Sequence, residues 1–239
     1  MDKHMLNENH EELAKRILSA KHIVFFGGAG VSTESKIPDF RSADGLYQKK
    51  NFPYPPEMML SHSFFERHTK EFYDFYRTII FKEAKPNAAH LKLAQWEKEG
   101  RLAAVITQNI DGLHQAAGSK TVYELHGSVK RNYCQKCGAF YDEDFILTNE
   151  GIPHCIKCGG IVKPDVVLYE ESLHMDTINK AKNAIQEADM LIVGGTSLVV
   201  YPAAGMINYY HGDNLVLINR EATSFDNRAN LILKGSIGE

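Results

Sequence analysis

Two pairs of cysteines are the most specific chemical feature of this sequence. Cys134 and Cys137 form one Cys-x-x-Cys pair, Cys155 and Cys158 form the second, and the 239-residue chain contains no other cysteine. Because the N-terminal residues have no apolar signal core, we interpret the pairs as metal ligands rather than as two disulfides. Four thiolates surround a structural zinc ion tetrahedrally and leave no position open for a substrate. The sequence therefore predicts one structural Zn²⁺.

A group of polar residues follows the apolar residues 103–106, which are typical of a buried parallel strand. Gln108, Asn109 and Asp111 come directly after this strand, and His126 ends the next β-like run. Ligands of open α/β sheets bind at the carboxyl ends of the strands. A histidine placed there can act as a general base near neutral pH, although a lone histidine before a glycine more often has a structural role only. The cluster favours the catalytic interpretation.

A glycine-rich segment, Gly27-Gly-Ala-Gly-Val-Ser-Thr33, follows the β-like residues 21–26. Glycines allow backbone N–H groups to approach a phosphate closely, and the start of a following helix favours negative charge. Thr33 replaces the third glycine of the G-x-G-x-x-G pattern, so the motif alone also fits a tight turn between a strand and a helix. The long polar and proline-containing residues 42–56 favour the phosphate interpretation, because such loops are often active-site lids.

Apolar runs alternate with helical patterns along the chain, which predicts an α/β fold with a doubly wound parallel Rossmann-like sheet. Residues 57–83 have a helical and aromatic pattern, Pro86 and Asp176 are placed at the starts of two further helices, and Leu18 is placed on the buried face of the first. The region around the cysteines has little core potential and indicates a small inserted module. The predicted division is a Rossmann-like domain of residues 1–127 and 162–239, a helical lid insertion at about 42–85, and a zinc-binding module of 128–161.

Composition excludes several classes of function. Hydrophobic residues make up 44% of the chain, as in ordinary globular proteins, and the formal net charge is −3. A protein that binds the phosphate backbone of nucleic acid needs a basic surface, which this balance does not provide. There is also no run of 18 apolar residues. We expect a soluble, cytoplasmic monomer without direct nucleic acid or membrane partners.

Together these motifs resemble those of the sirtuins, the NAD-dependent protein lysine deacylases. The resemblance spans roughly residues 21–238 and has the motifs in the family's order. The matching segments are Gly28-Ala-Gly-Val-Ser, Ile37-Pro-Asp-Phe-Arg, Thr107-Gln-Asn-Ile-Asp-x-Leu-His, His126-Gly, the two Cys-x-x-Cys pairs, Gly195-Thr-Ser and Asn219. It implies NAD as cofactor, acyl-lysine proteins or peptides as substrates, and nicotinamide, free lysine and O-acetyl-ADP-ribose as products.

The resemblance also implies roles for the matching residues. The acyl-lysine amide oxygen would attack C1′ of the nicotinamide ribose, and His126 would then act as general base for a ribose hydroxyl. His114 is interpreted as structural support. The implied NAD contacts are Ala29, Thr33, Asp39, Phe40, Arg41, Gln108, Asn109, Ile110, Asp111, His126, Thr196, Ser197, Asn219 and Ile237. The implied peptide contacts are Val166, Tyr169 and Val200.

Three residues depart from the family's pattern. Lys36 and Glu170 stand where glycine is frequent, and Gly27 replaces a common threonine. Glu170 matters most, because it lies in the segment that resembles the peptide-pairing strand. Two other functions remain open: a protein ADP-ribosyltransferase that uses NAD, and a non-catalytic NAD-binding zinc module.

The acyl group that the enzyme removes is also predicted. Sirtuins that prefer succinyl or malonyl lysine resemble one another in a Tyr-x-x-Arg motif before the Pro-Asn-Ala-x-His segment, because a free carboxylate needs a charged partner. Counting back from Pro86 places Arg77 at the arginine position but Asp74 at the tyrosine position. Tyr73 is shifted by one residue, or about 100° on a helix. We therefore predict a preference for neutral acyl groups, acetyl first.

Overall fold

The computed structural model describes residues 3–39, 45, 52–80 and 83–238. Six parallel strands form the main sheet, and three antiparallel strands form a smaller one. The strands are β1 Ile23–Gly27, β2 Leu102–Thr107, β3 Val122–Glu124, β4 Gly127–Cys134, β5 Phe140–Tyr141, β6 Val162–Val166, β7 Met190–Gly194, β8 Leu215–Asn219 and β9 Leu231–Lys234. The α-helices are α1 Lys3–Ser19, α2 Pro56–Met59, α3 His62–Arg67, α4 Thr69–Tyr76, α5 Ala88–Lys98, α6 Leu113–Ala116, α7 Glu143–Thr148 and α8 Met175–Glu187. Short 3₁₀ helices cover Ala29–Ser35, Arg77–Ile79, Ala203–Tyr209 and Asp226–Arg228.

The parallel sheet has the order β3-β2-β1-β7-β8-β9 and is covered on both faces. Successive side chains of a strand point to opposite faces, so a strand that is covered on both sides is apolar throughout. In β1, Val24 and Phe26 belong to one buried cluster, whereas Ile23 and Phe25 belong to another. The predicted doubly wound Rossmann-like sheet is confirmed.

The smaller sheet has the order β5-β4-β6, and Cys134, the first cysteine of the first pair, is the last residue of β4. Its apolar face packs against helices α2, α3 and α4, and the aromatic residues of α3 and α4 share one buried cluster with Met59 of α2 and with Val129, Ile146 and Val162. β6 pairs with β4, with Val162 opposite Cys134 and Val166 opposite Gly127. The strand after the second cysteine pair thus belongs to the small sheet, while the predicted division of the chain into domains stays a prediction.

The aromatic region is not one helix. The sequence predicts a helical, aromatic-rich pattern over residues 57–83, and the described part contains three short α-helices and a 3₁₀ turn. α2 ends at Met59, and Ser61 caps the start of α3, since its hydroxyl accepts a hydrogen bond from the N–H of Phe64 at 3.2 Å. A serine in this position offers the backbone a partner outside the helix, which the apolar spacing alone does not reveal.

Two helix starts and one buried position also differ from the prediction. α5 begins after Asn87, whose side chain accepts hydrogen bonds from the first turn, so Pro86 lies before the cap. α8 begins at Met175, and Asp176 lies in its first turn. Leu18, near the end of α1, is 69% exposed. No helix in the described ranges is long and apolar enough to cross a membrane.

Candidate active site

A cavity of about 540 Å³ lies at the carboxyl ends of β1, β2, β7 and β8 and extends to the small sheet. Every described residue that the resemblance assigned to NAD or peptide contributes to its wall. These residues are Ala29, Thr33, Asp39, Gln108, Asn109, Ile110, Asp111, His126, Val166, Tyr169, Thr196, Ser197, Val200, Asn219 and Ile237. Phe40 and Arg41 lie outside the described residues.

Two glycine loops form the floor of the cavity. The N–H of Gly30, after β1, donates to the carbonyl oxygen of Gly195, after β7, at 2.8 Å. A Cβ atom at Gly30 would lie 2.8 Å from the Cα of Gly195, a distance that side chains do not tolerate. Gly195 also has a φ of +59°, in the left-handed region that favours glycine. The two loops can therefore meet backbone to backbone only because both lack side chains.

Ser32 is a site residue to which the sequence assigned no role. Its hydroxyl is almost completely buried, donates to Asp111 Oδ2 at 2.7 Å and accepts from Asn109 Nδ2 at 3.1 Å. The other carboxylate oxygen of Asp111 accepts from the N–H of Leu113 at 2.9 Å. Both oxygens of Asp111 are thus oriented by the protein. The sequence signal for Ser32 is its place in the glycine-rich motif.

A second chain of hydrogen bonds joins the ends of β2, β7 and β8. Gln108 Nε2 donates to Thr196 Oγ1 at 3.0 Å, and the N–H of Thr196 donates to Asn219 Oδ1 at 2.9 Å. The other atom of this amide, Nδ2 of Asn219, is buried and has no acceptor among the described residues. A buried donor without a partner costs roughly 1–3 kcal/mol. The unpaired amide at this position fits a ligand with hydroxyl oxygens, such as the ribose of NAD.

His126 lies in the connection between the two sheets, immediately before β4. Its Nδ1 lies 2.8 Å from the carbonyl oxygen of Gln108. A carbonyl accepts only, so Nδ1 carries the proton and Nε2 keeps a free lone pair. Burial lowers the pKa of His126, and the hydrogen bond to Gln108 opposes this shift in part. The imidazole is therefore neutral near pH 7 and can accept a proton.

The glycine after His126 is required by the junction. Gly127 has a φ of +75°, and a Cβ atom there would collide with the carbonyl oxygen of Asp165 in β6. On the same side, the carbonyl oxygen of His126 accepts a hydrogen bond from the N–H of Val167 at 3.0 Å. The histidine backbone is thus tied to the segment after β6.

His114 lies beneath the site instead of lining the cavity. It is buried, and its ring centroid is 4.7 Å from that of His90. Burial, with a smaller contribution from His90, lowers the pKa of His114 to about 3. A neutral, enclosed ring in this place is consistent with the predicted structural role.

The four cysteines converge at one end of the small sheet. Their sulfur atoms all lie within 4.8 Å of one another, with 3.4 Å between Cys134 and Cys158 and 3.6 Å between Cys137 and Cys155. Zinc at about 2.3 Å from each of four sulfurs would space them by roughly 3.8 Å. The hydroxyl of Tyr141 donates to Cys155 Sγ at 3.1 Å and accepts from the N–H of Ile156 at 3.0 Å. The residues fit the predicted structural Zn²⁺.

Arg77 and Tyr73 contribute nothing to the described wall of the cavity. Arg77 Nε donates to the carbonyl oxygen of Ile146 at 2.9 Å, and Nη2 donates to that of Gly151 at 2.5 Å. The hydroxyl of Tyr73 donates to the carbonyl oxygen of Val162. Asp74 lies 3.9 Å from the guanidinium. These side chains hold the helices to the small sheet.

Comparison with known proteins agrees with this geometry. Residues 28–202 match the sequence model of the Sir2 family. A protein named NAD-dependent protein deacetylase from Clostridium acetobutylicum is 61% identical over 238 residues, which cover 98% of this chain and 97% of that protein. A solved complex of Sir2 with a p53 peptide and NAD⁺ has a TM-score of 0.83 at 39% identity and covers 95% of this chain and 93% of the other.

A second solved structure holds products. This complex of a Sir2 variant with a deacetylated p53 peptide and 3′-O-acetyl ADP-ribose has a TM-score of 0.88 at 38% identity, and covers 96% of this chain and 94% of the other. The resemblance that the sequence motifs indicated is confirmed, and the chain belongs to the Sir2 family of sirtuins.

Proposed function

We infer that this chain is an NAD-dependent protein deacetylase. It transfers the acyl group of an acetyl-lysine peptide to ADP-ribose and releases nicotinamide, the deacetylated lysine and O-acetyl-ADP-ribose. The observation that carries the inference is His126, a neutral imidazole with its Nε2 free, on the wall of a cavity shared by the two sheets. The 61% identity to a protein named for the same activity supports it.

His126 acts as the general base. Bound NAD supplies the ribose carbon that accepts the acyl oxygen and the hydroxyl that takes part in acyl transfer. The carbonyl of Gln108 holds the imidazole in the tautomer with a proton on Nδ1, so Nε2 accepts the proton of that hydroxyl. Burial lowers the pKa of His126 and keeps it in the basic form near neutral pH.

The cofactor contacts follow the loops that form the cavity. We propose that Asp111 and Ile110 hold the carboxamide of nicotinamide, which is supported by the fixed orientation of the Asp111 carboxylate. Asn219 binds the adenosine half through its unpaired Nδ2. The other described NAD residues occupy the loops between these two ends.

The acyl-lysine peptide binds where the small sheet meets the parallel one. Solved relatives hold p53 peptides, and one Sir2 structure holds a propionylated peptide. Val166, Tyr169 and Val200 line this part of the cavity, and we propose that they contact the peptide. Since the cavity is lined within one chain, we also propose that the monomer is the active unit.

The test is a product analysis. We expect incubation with an acetyl-lysine peptide and NAD to release nicotinamide, deacetylated peptide and O-acetyl-ADP-ribose in equal amounts. The same peptide with an unmodified lysine serves as the control and yields neither nicotinamide nor O-acetyl-ADP-ribose. Nicotinamide release with ADP-ribose attached to a protein side chain, and no acetylated product, would instead identify an ADP-ribosyltransferase.

A further inference from the structure

Glu170 has a backbone conformation that is unusual for a residue with a side chain. Its φ is +75°, in the left-handed region where glycine is favoured. Glycine adopts this conformation without strain, which agrees with the glycine that the family resemblance implies at the position. A glutamate in its place is strained, and it persists only where surrounding contacts hold it.

Such a contact is made with the first turn of α3. Glu170 Oε2 accepts from the N–H of Ser63 at 2.9 Å, and Oε1 accepts from the Ser63 hydroxyl at 3.0 Å. The backbone beside it is fixed as well, since the N–H of Tyr169 donates to Leu60 and the N–H of His62 donates to Tyr169, both at 3.0 Å. The carboxylate is therefore held in one place on the rim of the cavity.

Among the residues that the structure describes, no cation balances the charge of Glu170, in contrast to that of its neighbour. The carboxylate of Glu171 lies 2.8 Å from His62 Nδ1 and 3.2 Å from Lys163 Nζ. No cationic side chain in the described ranges lies within ion-pair distance of Glu170, which is exposed and lines the cavity. Each of its oxygens accepts one hydrogen bond from Ser63 and can accept another. The described part of the rim thus presents a positioned negative charge without an ion-pair partner.

We propose that Glu170 gives this deacetylase a preference for substrates with a basic residue close to the acetyl-lysine. The proposal rests on the assignment of the Tyr169 segment to peptide binding. Tyr169 is partly exposed on the same cavity wall, so a peptide lying along it passes next to the carboxylate. An arginine or lysine there forms an ion pair with Glu170, whereas an acidic residue is repelled.

The experiment compares kcat/KM for acetyl-lysine peptides that carry Arg, Ala or Glu at each flanking position in turn. Wild type should prefer the Arg peptide to the Glu peptide at one or more positions. Glu170→Gln keeps the size of the side chain and both contacts with Ser63, since its amide oxygen can accept from the N–H of Ser63 while its amide nitrogen donates to the Ser63 hydroxyl. The variant should reduce the Arg advantage about two- to fivefold, the range expected of an exposed ion pair. The change should appear in KM and should shrink with added salt.

Glu187→Gln is the matched control. It removes the same charge from the end of α8, from an exposed residue that does not line the cavity, and should leave every ratio unchanged. Equal Arg-to-Glu ratios in wild type and Glu170→Gln would overturn the proposal. The preference for the Arg peptide could also persist in Glu170→Gln and disappear only in Glu170→Gly. That result would assign the preference to the shape of the side chain and would likewise overturn the proposal. Failure of the deacetylase assignment is distinguishable, because the Ala peptide would then not be turned over at all.

Discussion

The two sheets of this protein are stabilised in different ways. Every residue of β1 and β7 is buried, so the parallel sheet owes its stability to apolar layers on both faces. The small sheet has three strands, one of them only two residues long. Two features support it: the cysteine cluster at one end, and helices α2 to α4, called here the aromatic helices, on its apolar face. A small sheet becomes stable through a hydrophobic face or through packing against a helix. We therefore expect the larger sheet to fold by burial, and the smaller one to depend on its neighbouring helices and on the metal that the cysteines would bind.

The two sheets also carry different parts of the active site. The predicted NAD contacts lie mainly on loops of the parallel sheet, and the predicted peptide contacts Val166 and Tyr169 lie in or just after the small sheet. His126 is in the connection between them, and its backbone bonds to Val167 on one side while its ring bonds to Gln108 on the other. We therefore expect NAD binding to depend on an intact parallel sheet, and acyl transfer to depend on both the parallel sheet and the small sheet.

The largest effect is expected from removing the base at the junction. His126→Ala should lower deacetylation by about 10²–10⁴-fold, the usual loss for general-base catalysis. NAD binding should stay within a few fold, because the loops that bind it are held by other hydrogen bonds. Turnover and NAD titration measure the two quantities. The control is His154→Ala, which removes an exposed histidine of the small module. Near-normal turnover of the His126→Ala protein would refute the assignment.

Removing a zinc ligand should disrupt one region and spare the other. Cys134→Ala should abolish zinc binding and peptide deacetylation, since the metal supplies much of the folding free energy of a small module. NAD binding should be reduced much less. Metal analysis, activity and NAD titration test this. The control is Lys157→Ala, which removes an exposed side chain between the two cysteines of the second pair. A metal-free Cys134→Ala protein that remains folded and active would contradict the comparison.

The sequence predicted the two regions unequally well. The parallel strands are continuous apolar runs and the cysteine pairs have a fixed spacing. Both features lie within short stretches of the chain, so they could be predicted from the sequence alone. The bond from Ser32 to Asp111 joins residues 79 positions apart and could not be read from spacing. The break at Ser61 depends on a cap, and the pairing of Val162 with Cys134 depends on the tertiary fold. Local patterns therefore identified the components of the site, but not the contacts that orient them.

A smaller effect should follow from a change beside the zinc ligands. Tyr141→Phe removes the hydrogen bond to Cys155 Sγ and leaves the N–H of Ile156 without its acceptor. Partners of metal ligands commonly affect metal affinity by 10-fold or more, so we expect about 10-fold faster zinc release to a chelator. Tyr133→Phe is the matched control on the adjacent strand, where the side chain is 40% exposed. Equal release rates for the two variants would show that Tyr141 has no part in holding the metal.

The smallest effect on catalysis is expected at Arg77, which the sequence places at the arginine position of the motif that binds acidic acyl groups in the sirtuins that prefer them. In the structure its guanidinium donates to the carbonyl oxygens of Ile146 and Gly151 and is not part of the described cavity wall. Burial lowers the pKa of Arg77, with Asp74 opposing the shift. The side chain thus connects the end of α4 to the small module, and we expect a substrate carboxylate in the cavity not to reach it. We therefore expect kcat/KM to be higher for an acetyl-lysine peptide than for its succinyl counterpart.

The substitution Arg77→Gln separates the structural role from the recognition of substrate. It should lower the free energy of unfolding by about 1–3 kcal/mol, because the two carbonyl groups lose a charged donor. The ratio of acetyl to succinyl kcat/KM should stay the same as in wild type. Arg67→Gln is the control, since Arg67 is an exposed arginine of α3. Thermal or denaturant unfolding gives the first quantity and matched peptides give the second. Succinyl turnover above acetyl turnover in wild type, lost in Arg77→Gln, would show that Arg77 reads the carboxylate and that the aromatic helices serve chemistry as well as support.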